Sequence, residues 1–233
     1  PVMAVPTTSG TGSEATHFAA IYQNGEKQSI ADARLLPEYV VLQADLLKTL
    51  PLYQKKCTML DALCQAIESW WSKKATKESV RYSKEAIHLI TGNMESYLNN
   101  DEAGNANMLL ASNLAGKAIN ITTTTAPHAM SYKLTTLYGL PHGHAVAICL
   151  PKVWRYMKNY DDIANALGKQ SHEEAISFFE EVLKELAIVP PKNISAEDLD
   201  VLTNSVNTQR LNNNPVRLDK DTIKDLYKEI LEV

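Results

Sequence analysis

Apolar residues fall in short runs over the first forty-five positions and at helical spacing over the rest, so the chain divides by period before any chemistry is considered. Val2–Val5 reads as a short buried strand, followed by the loop Pro6-Thr7-Thr8-Ser9-Gly10-Thr11-Gly12-Ser13-Glu14. His17–Gln23 and Gln28–Ala31 flank Asn24-Gly25, a dipeptide that signals a two-residue hairpin turn because both residues tolerate positive φ. Tyr39–Leu42 is another short apolar run. From about Lys48 the period becomes helical, with Met59, Leu60, Leu63, Ala66, Ile67, Trp70 and Trp71 marking one helix to Trp71. Val80–Leu98 follows, with Thr76 or Ser79 as its cap, and Asn107–Ile119 is an Ala/Leu-rich central helix. Thr125-Ala126-Pro127 opens a helix that Gly139 and Pro141 end, and a helix from His142 is expected to stop at Leu150, before Pro151. Ile163–Leu167, Glu173–Leu186 and Thr222–Leu231 are later amphipathic helices, while Pro190-Pro191 and Asn212-Asn213-Asn214-Pro215 mark loops. The expected fold class is mainly α, with a small β lead-in over residues 1–45 and a helical domain over 46–233.

Composition narrows the function. The 233 residues suffice for one large domain or two small ones, and 45% hydrophobic with 21% charged residues is ordinary for a globular protein. Twenty-three basic against 27 acidic residues give a net charge of −4, which supplies no footprint for nucleic acid and no polybasic membrane patch. No run approaches the roughly 18 apolar residues of a membrane span. Cys57, Cys64 and Cys149 are odd in number and form no CxxC pair, so a disulfide framework is excluded and a reducing cytoplasm is the default location. The chain begins Pro1-Val2-Met3-Ala4 without an initiator Met and enters an apolar strand at once, which leads to the expectation of a fragment.

Several residues carry candidate chemistry. His128 and His142 stand at the two ends of one short helix and its turn, and a bend at Gly139–Pro141 would let them face a common point; two unrelated polar residues at helix starts would look the same. Asp61 sits among apolar neighbours one turn before Gln65, so it is either a buried carboxylate that needs a partner such as a divalent cation, or a partly exposed residue near a helix start. The Thr8–Ser13 loop offers N–H groups, hydroxyls and two glycines, a chemistry that suits phosphate, although a plain tight turn explains it equally. Lys27 alone reads as a solvated charge. Cys64 reads as a small buried thiol rather than a nucleophile.

Taken in order, Pro6–Glu14, Asp61-Ala62-Leu63 with Ala66-Ile67-Glu68, His128, and Pro141-His142-Gly143 resemble the iron-containing (group III) alcohol dehydrogenases, whose fold is akin to dehydroquinate synthase. Leu109–Gly116 and Asn213-Asn214-Pro215 resemble the family less specifically. The resemblance covers nearly the whole chain. It implies a metal-dependent, NAD- or NADP-dependent alcohol dehydrogenase or aldehyde reductase acting on a small aldehyde or alcohol. Residues 1–45 would end a dinucleotide-binding α/β domain whose Gly-Gly-Gly-Ser loop is absent here, and 46–233 would be the helical metal-binding domain. The residues Thr8, Ser9, Gly10, Thr11 and Gly12 would then contact the cofactor, and Lys27 would reach it. Asp61, His128 and His142 would bind the divalent metal, iron first and zinc as the alternative.

Two departures from the family pattern bear on chemistry. The fourth ligand, a histidine four residues after the aspartate, is Gln65 here, and a histidine four residues after His128 is replaced by Tyr132. Gln65 would offer a carbonyl oxygen, a poorer donor than imidazole for iron or zinc. An additional histidine, His144, follows His142, so the resemblance assigns proton transfer to Tyr132 or His144. The 61–69 and 126–132 segments resemble the phosphonoacetaldehyde-reductase branch, which reduces a phosphonate aldehyde. A second copy of the chain is the expected partner, since dimerisation is common in the family. The competing reading is a non-catalytic helical fragment or a metal-free degenerate member; a metal-dependent lyase or a polyol-phosphate dehydrogenase is disfavoured by the Thr-Thr-x-Gly-Thr-Gly-Ser-Glu segment.

Overall fold

The computed structural model describes residues 1–23, 26–157, 160–207 and 211–233. The lead-in contains two small ladders. Strand β1 (Met3–Ala4) pairs parallel with β4 (Tyr39–Val40), Met3 opposite Tyr39. Strand β2 (Phe18–Gln23) pairs antiparallel with β3 (Glu26–Ala31), Phe18 opposite Ala31 and Gln23 opposite Glu26. The expected Asn24-Gly25 turn lies outside the described residues, and β3 begins two residues earlier than the apolar pattern suggested. The expectation that Val2–Val5 is buried fails: Val2, Met3, Val5, Tyr39 and Val40 are all exposed. Among the described residues this ladder gives neither strand an outer neighbour, and the helices pack against the following loop instead.

That loop is pinned to the helices. Ser9 is buried and its hydroxyl donates to Tyr97 Oη at 2.6 Å. Gly12 takes φ +57° directly on helix α3 (Glu102–Thr122), where a Cβ on Gly12 would stand 2.6 Å from Gly116 Cα and one on Gly116 would stand 2.5 Å from Gly12 O. Only a pair of glycines lets the two backbones approach so closely. Glu14 accepts from Asn113 Nδ2 at 3.0 Å and the His17 N–H donates to Asn120 Oδ1 at 2.9 Å, extending the seam along α3.

Helix α1 (Leu52–Trp71) begins seven residues before the apolar pattern does, because its first turns are amphipathic and Pro51 supplies the start. Buried almost throughout from Cys57, it packs on α2 (Lys77–Leu98), α3 and α5 (His142–Tyr156). Both candidate caps of α2 are used: Thr76 accepts from the Ser79 N–H while the Ser79 hydroxyl accepts from the Thr76 N–H, a reciprocal capping box. Helix α4 (Ala126–Tyr138) lies on α5, with Pro127 in its first turn and Gly139 at φ +67° ending it.

Two sequence expectations give way here. Helix α5 runs through Pro151 to Tyr156. Proline forfeits one hydrogen bond to the preceding turn, but Leu150, Pro151, Val153 and Trp154 are all buried, and their packing holds the helix together. Beyond α6 (Asp161–Ala166) and α7 (His172–Glu185), a helix with no counterpart in the sequence reading, α8 (Ala196–Ser205), is closed by a Ser195–Asp198 capping box and buries Leu199 and Leu202. Helix α9 (Lys220–Leu231) packs on α8 and α5, and Tyr227 Oη donates to the Met130 carbonyl at 2.7 Å. Among the described residues no helix is long and apolar enough to cross a membrane.

Candidate metal centre

Three helices bring one candidate ligand each to a common point. Asp61 comes from the buried side of α1, His128 from the first turn of α4, and His142 from the first residue of α5. Gly143 makes the meeting possible, since a Cβ there would stand 1.9 Å from the Cys57 carbonyl oxygen and 2.9 Å from Asp61 Cβ. Helix α5 therefore starts in backbone contact with α1, and His142 arrives beside Asp61. Asp61 Oδ1 lies 3.3 Å from His128 Nε2 and 3.8 Å from His142 Nε2, and the three ligand atoms fall within 4.8 Å of one another. Ligands bound at about 2.1 Å in a tetrahedral arrangement sit about 3.4 Å apart, so these spacings suit a single divalent ion. Asp61 and His128 are buried, whereas the His142 side chain is 34% exposed and forms the mouth of the site.

The surrounding groups favour a cation. Burial alone would lower the basicity of His128, but the carboxylates of Glu68 and Asp61 outweigh it and raise its pKa to about 9. Gln65, one turn beyond Asp61, is buried, and its Oε1 has no hydrogen-bond partner among the described residues. A buried acceptor left unsatisfied is costly unless something electropositive reaches it. One carboxylate, two imidazoles and an open amide oxygen are together a donor set for a transition-metal dication. The sequence reading quoted Glu68 only as part of a motif and gave it no role, yet it is fully buried and contacts His128 Nδ1. Its position seven residues after Asp61, two turns along an otherwise apolar face, was the available signal.

The remaining candidates separate into those near the cluster and those elsewhere. Tyr132, one turn after His128, lays its ring parallel to that of His142, with centroids 5.7 Å apart and planes within 3°. His144 is not brought to the cluster. Two residues on in a helix turns a side chain about 200° away; His144 Nδ1 meets Tyr53 Oη at 2.8 Å, and Nε2 meets the Val189 carbonyl at 2.8 Å. Both ring nitrogens are engaged there, away from Asp61, His128 and His142. In the Thr8–Gly12 loop, Ser9, Gly10 and Gly12 are buried against the helices, and Ser9 spends its hydroxyl on Tyr97, whereas Thr11 is exposed and Thr8 half-buried. Lys27 lies in β3, and its side chain falls outside the described residues. Burial pushes the Cys64 thiol well up, as suits an inert core cysteine.

Comparison with known proteins agrees with this arrangement. Residues 56–231 match the Fe-containing alcohol dehydrogenase family, C-terminal, and residues 1–44 match iron-containing alcohol dehydrogenase. A phosphonoacetaldehyde reductase of Streptomyces viridochromogenes is 30% identical over 254 residues, covering all of this chain and 64% of the relative. A probable alcohol dehydrogenase of Escherichia coli, EutG, is 33% identical over 199 residues, covering 81% of this chain and 50% of the relative. Among solved structures, an iron-containing alcohol dehydrogenase from Thermotoga maritima superposes with a TM-score of 0.90 at 30% identity, covering all of this chain and 64% of that one. A sulfoacetaldehyde reductase from Bifidobacterium kashiwanohense, in complex with NAD+, superposes with a TM-score of 0.94 at 25% identity over all of this chain and 65% of that one. The chain thus spans just under two thirds of the length of these relatives at most. Its helices, its three-ligand cluster and both family matches lead to one conclusion: the chain belongs to the iron-containing alcohol dehydrogenase family.

Proposed function

We propose that this chain is the metal-carrying part of an NAD- or NADP-dependent alcohol dehydrogenase or aldehyde reductase, and that Asp61, His128 and His142 hold its divalent metal. The convergence of those three side chains from three helices is the observation that carries the reading. Gln65 is the candidate fourth donor through its open Oε1. A dication held there supplies Lewis acidity toward the oxygen of a small carbonyl or alcohol. Asp61 contributes the negative charge of the site, and His142, at its exposed rim, leaves room for substrate on the solvent side. Tyr132 fixes the His142 ring by stacking, and its phenol is the candidate proton carrier. Thr8 and Thr11 remain as cofactor contacts on the accessible side of the loop, with Ser9, Gly10 and Gly12 giving that loop its shape. On this reading residues 1–45 complete a nucleotide-binding unit and 46–233 form the metal-binding domain.

Two of the similar proteins are named for reducing aldehydes that carry an acidic group, a phosphonate in one and a sulfonate in the other. Phosphonoacetaldehyde is therefore the first substrate to test, with sulfoacetaldehyde and acetaldehyde beside it. The decisive measurement is the metal content of the purified chain after chelation and reloading with iron, zinc, nickel or manganese. The expected result is about one equivalent in the wild type and essentially none in His142→Ala. Absence of binding to the wild type would instead support a metal-free member without activity.

A further inference from the structure

Glu68 lies on α1 two turns beyond Asp61, fully buried, with its carboxylate shared between two tasks. Oε2 accepts from the Thr125 N–H at 2.7 Å and the Thr125 hydroxyl at 2.9 Å. Thr125 is the residue before α4, and its Oγ1 in turn accepts from Trp71 Nε1 at 2.8 Å. Oε1 meets His128 Nδ1. A carboxylate oxygen can only accept, so Nδ1 carries a proton toward Glu68, and Nε2, 3.3 Å from Asp61 Oδ1, is the nitrogen a metal would take once it gives up its own proton. Helix α1 thereby grips both nitrogens of one imidazole, Asp61 from one side and Glu68 from the other.

We infer that Glu68 is a positioning residue, which fixes the tautomer and orientation of His128 so that Nε2 is presented to the metal. This inference rests on the metal reading above. It goes beyond that reading because Glu68 itself offers no atom to the ion: both of its oxygens are occupied by Thr125 and His128. Outer carboxylates of this kind hold the ring in place and raise the ligand strength of the other nitrogen.

Glu68→Gln isolates the effect. The glutamine keeps the shape, and its oxygen stays with the two Thr125 donors, because the amide NH2 cannot accept from them. The NH2 then faces His128 Nδ1, which must become the acceptor, so the ring proton moves to Nε2 and blocks ligation. Titration of the metal-free protein with Co2+ should show affinity about 10- to 100-fold weaker in Glu68→Gln, with its Tm close to that of the wild type. Thr125→Val supplies the contrast. It cuts the link to Trp71 and half of the link to Glu68 but leaves the His128 contact, so Tm should fall while Co2+ affinity stays within about twofold. Nitrogen NMR of the Zn2+-loaded wild type should find the His128 proton on Nδ1, a result independent of any variant's folding. Equal Co2+ affinity in wild type and Glu68→Gln would overturn the inference and leave the metal reading standing, whereas a proton found on Nε2 of the Zn2+-loaded protein would overturn the inference and also remove His128 Nε2 from the ligand set. Failure of the wild type to bind either ion would overturn both.

Discussion

Helix α1 buries two groups of opposite charge six residues apart, and it treats them differently. Lys55 is closed: its three donors reach the Tyr97 carbonyl at 3.2 Å, Asn100 Oδ1 at 2.8 Å and Asn105 Oδ1 at 2.7 Å. It sits where α2 ends, so the cation also meets the negative end of that helix. The Asp61 region is looser. His142 Nε2 stands 3.8 Å from Asp61 Oδ1, beyond hydrogen-bond reach, and Gln65 Oε1 finds no hydrogen-bond partner among the described residues. A buried charge whose neighbours saturate it is a structural device. One that gathers two imidazoles and an unsatisfied amide oxygen around it is a place for a ligand.

The contrast can be broken hardest at Gly143. Alanine there drives a methyl into the Cys57 carbonyl and must push α5 off α1, so Gly143→Ala should cost about 3 kcal/mol, the upper end of overpacking effects. Because His142 moves with the helix, metal binding should fall together with Tm; normal metal content in the variant would mean that α5 does not set the site. Lys55→Met tests the other half. It leaves the Asn105 and Tyr97 oxygens without their donor and should cost about 2 kcal/mol in denaturant unfolding, with metal stoichiometry unchanged. A loss of metal from this variant would show that the two regions are coupled.

The smallest effect concerns His144, which is closed in the manner of Lys55. Burial holds its imidazole below the ordinary value of 6.5, more strongly than the hydrogen bond to Val189 raises it. As pH falls through 6.5 the unfolded chain takes up a proton that folded His144 refuses, so stability declines until the folded ring also titrates. Melting curves should therefore show the wild type losing ground to His144→Gln below pH 6.5, by no more than one proton's worth of slope. Parallel curves would mean that the ring protonates freely in the fold.

Comparing the closed and looser regions also explains what could be read from the chain alone. His128 and His142 were legible because each stands in the first turn of a helix with clear signals, Pro127, Gly139 and Pro141 among them, and Asp61 because it is a lone carboxylate in an apolar stretch of α1. The helical bulk was legible for the same reason, as was the Thr76–Ser79 box. What escaped depends on contacts distant in sequence. Glu68 acquires its contacts from residues 57 and 60 positions away, and His144 meets Tyr53 and Val189, 91 and 45 positions away. Helix α8 was hidden because only a few of its residues are apolar and it follows a Pro-rich stretch. Pro151 misled in the other direction, since local propensity yields when every neighbour is buried.

The seam at Gly12 and Gly116 has a consequence for how this protein can vary. Each glycine occupies the space in which the other's side chain would grow, so exchanging one cannot be remedied by shrinking the other, which is already minimal. Two positions 104 residues apart are thus frozen as a pair, and no stepwise route leads away from them. The half-buried Thr8 and exposed Thr11 on the same loop carry no such lock, and diversity in that loop should accumulate at 8 and 11 rather than at 12.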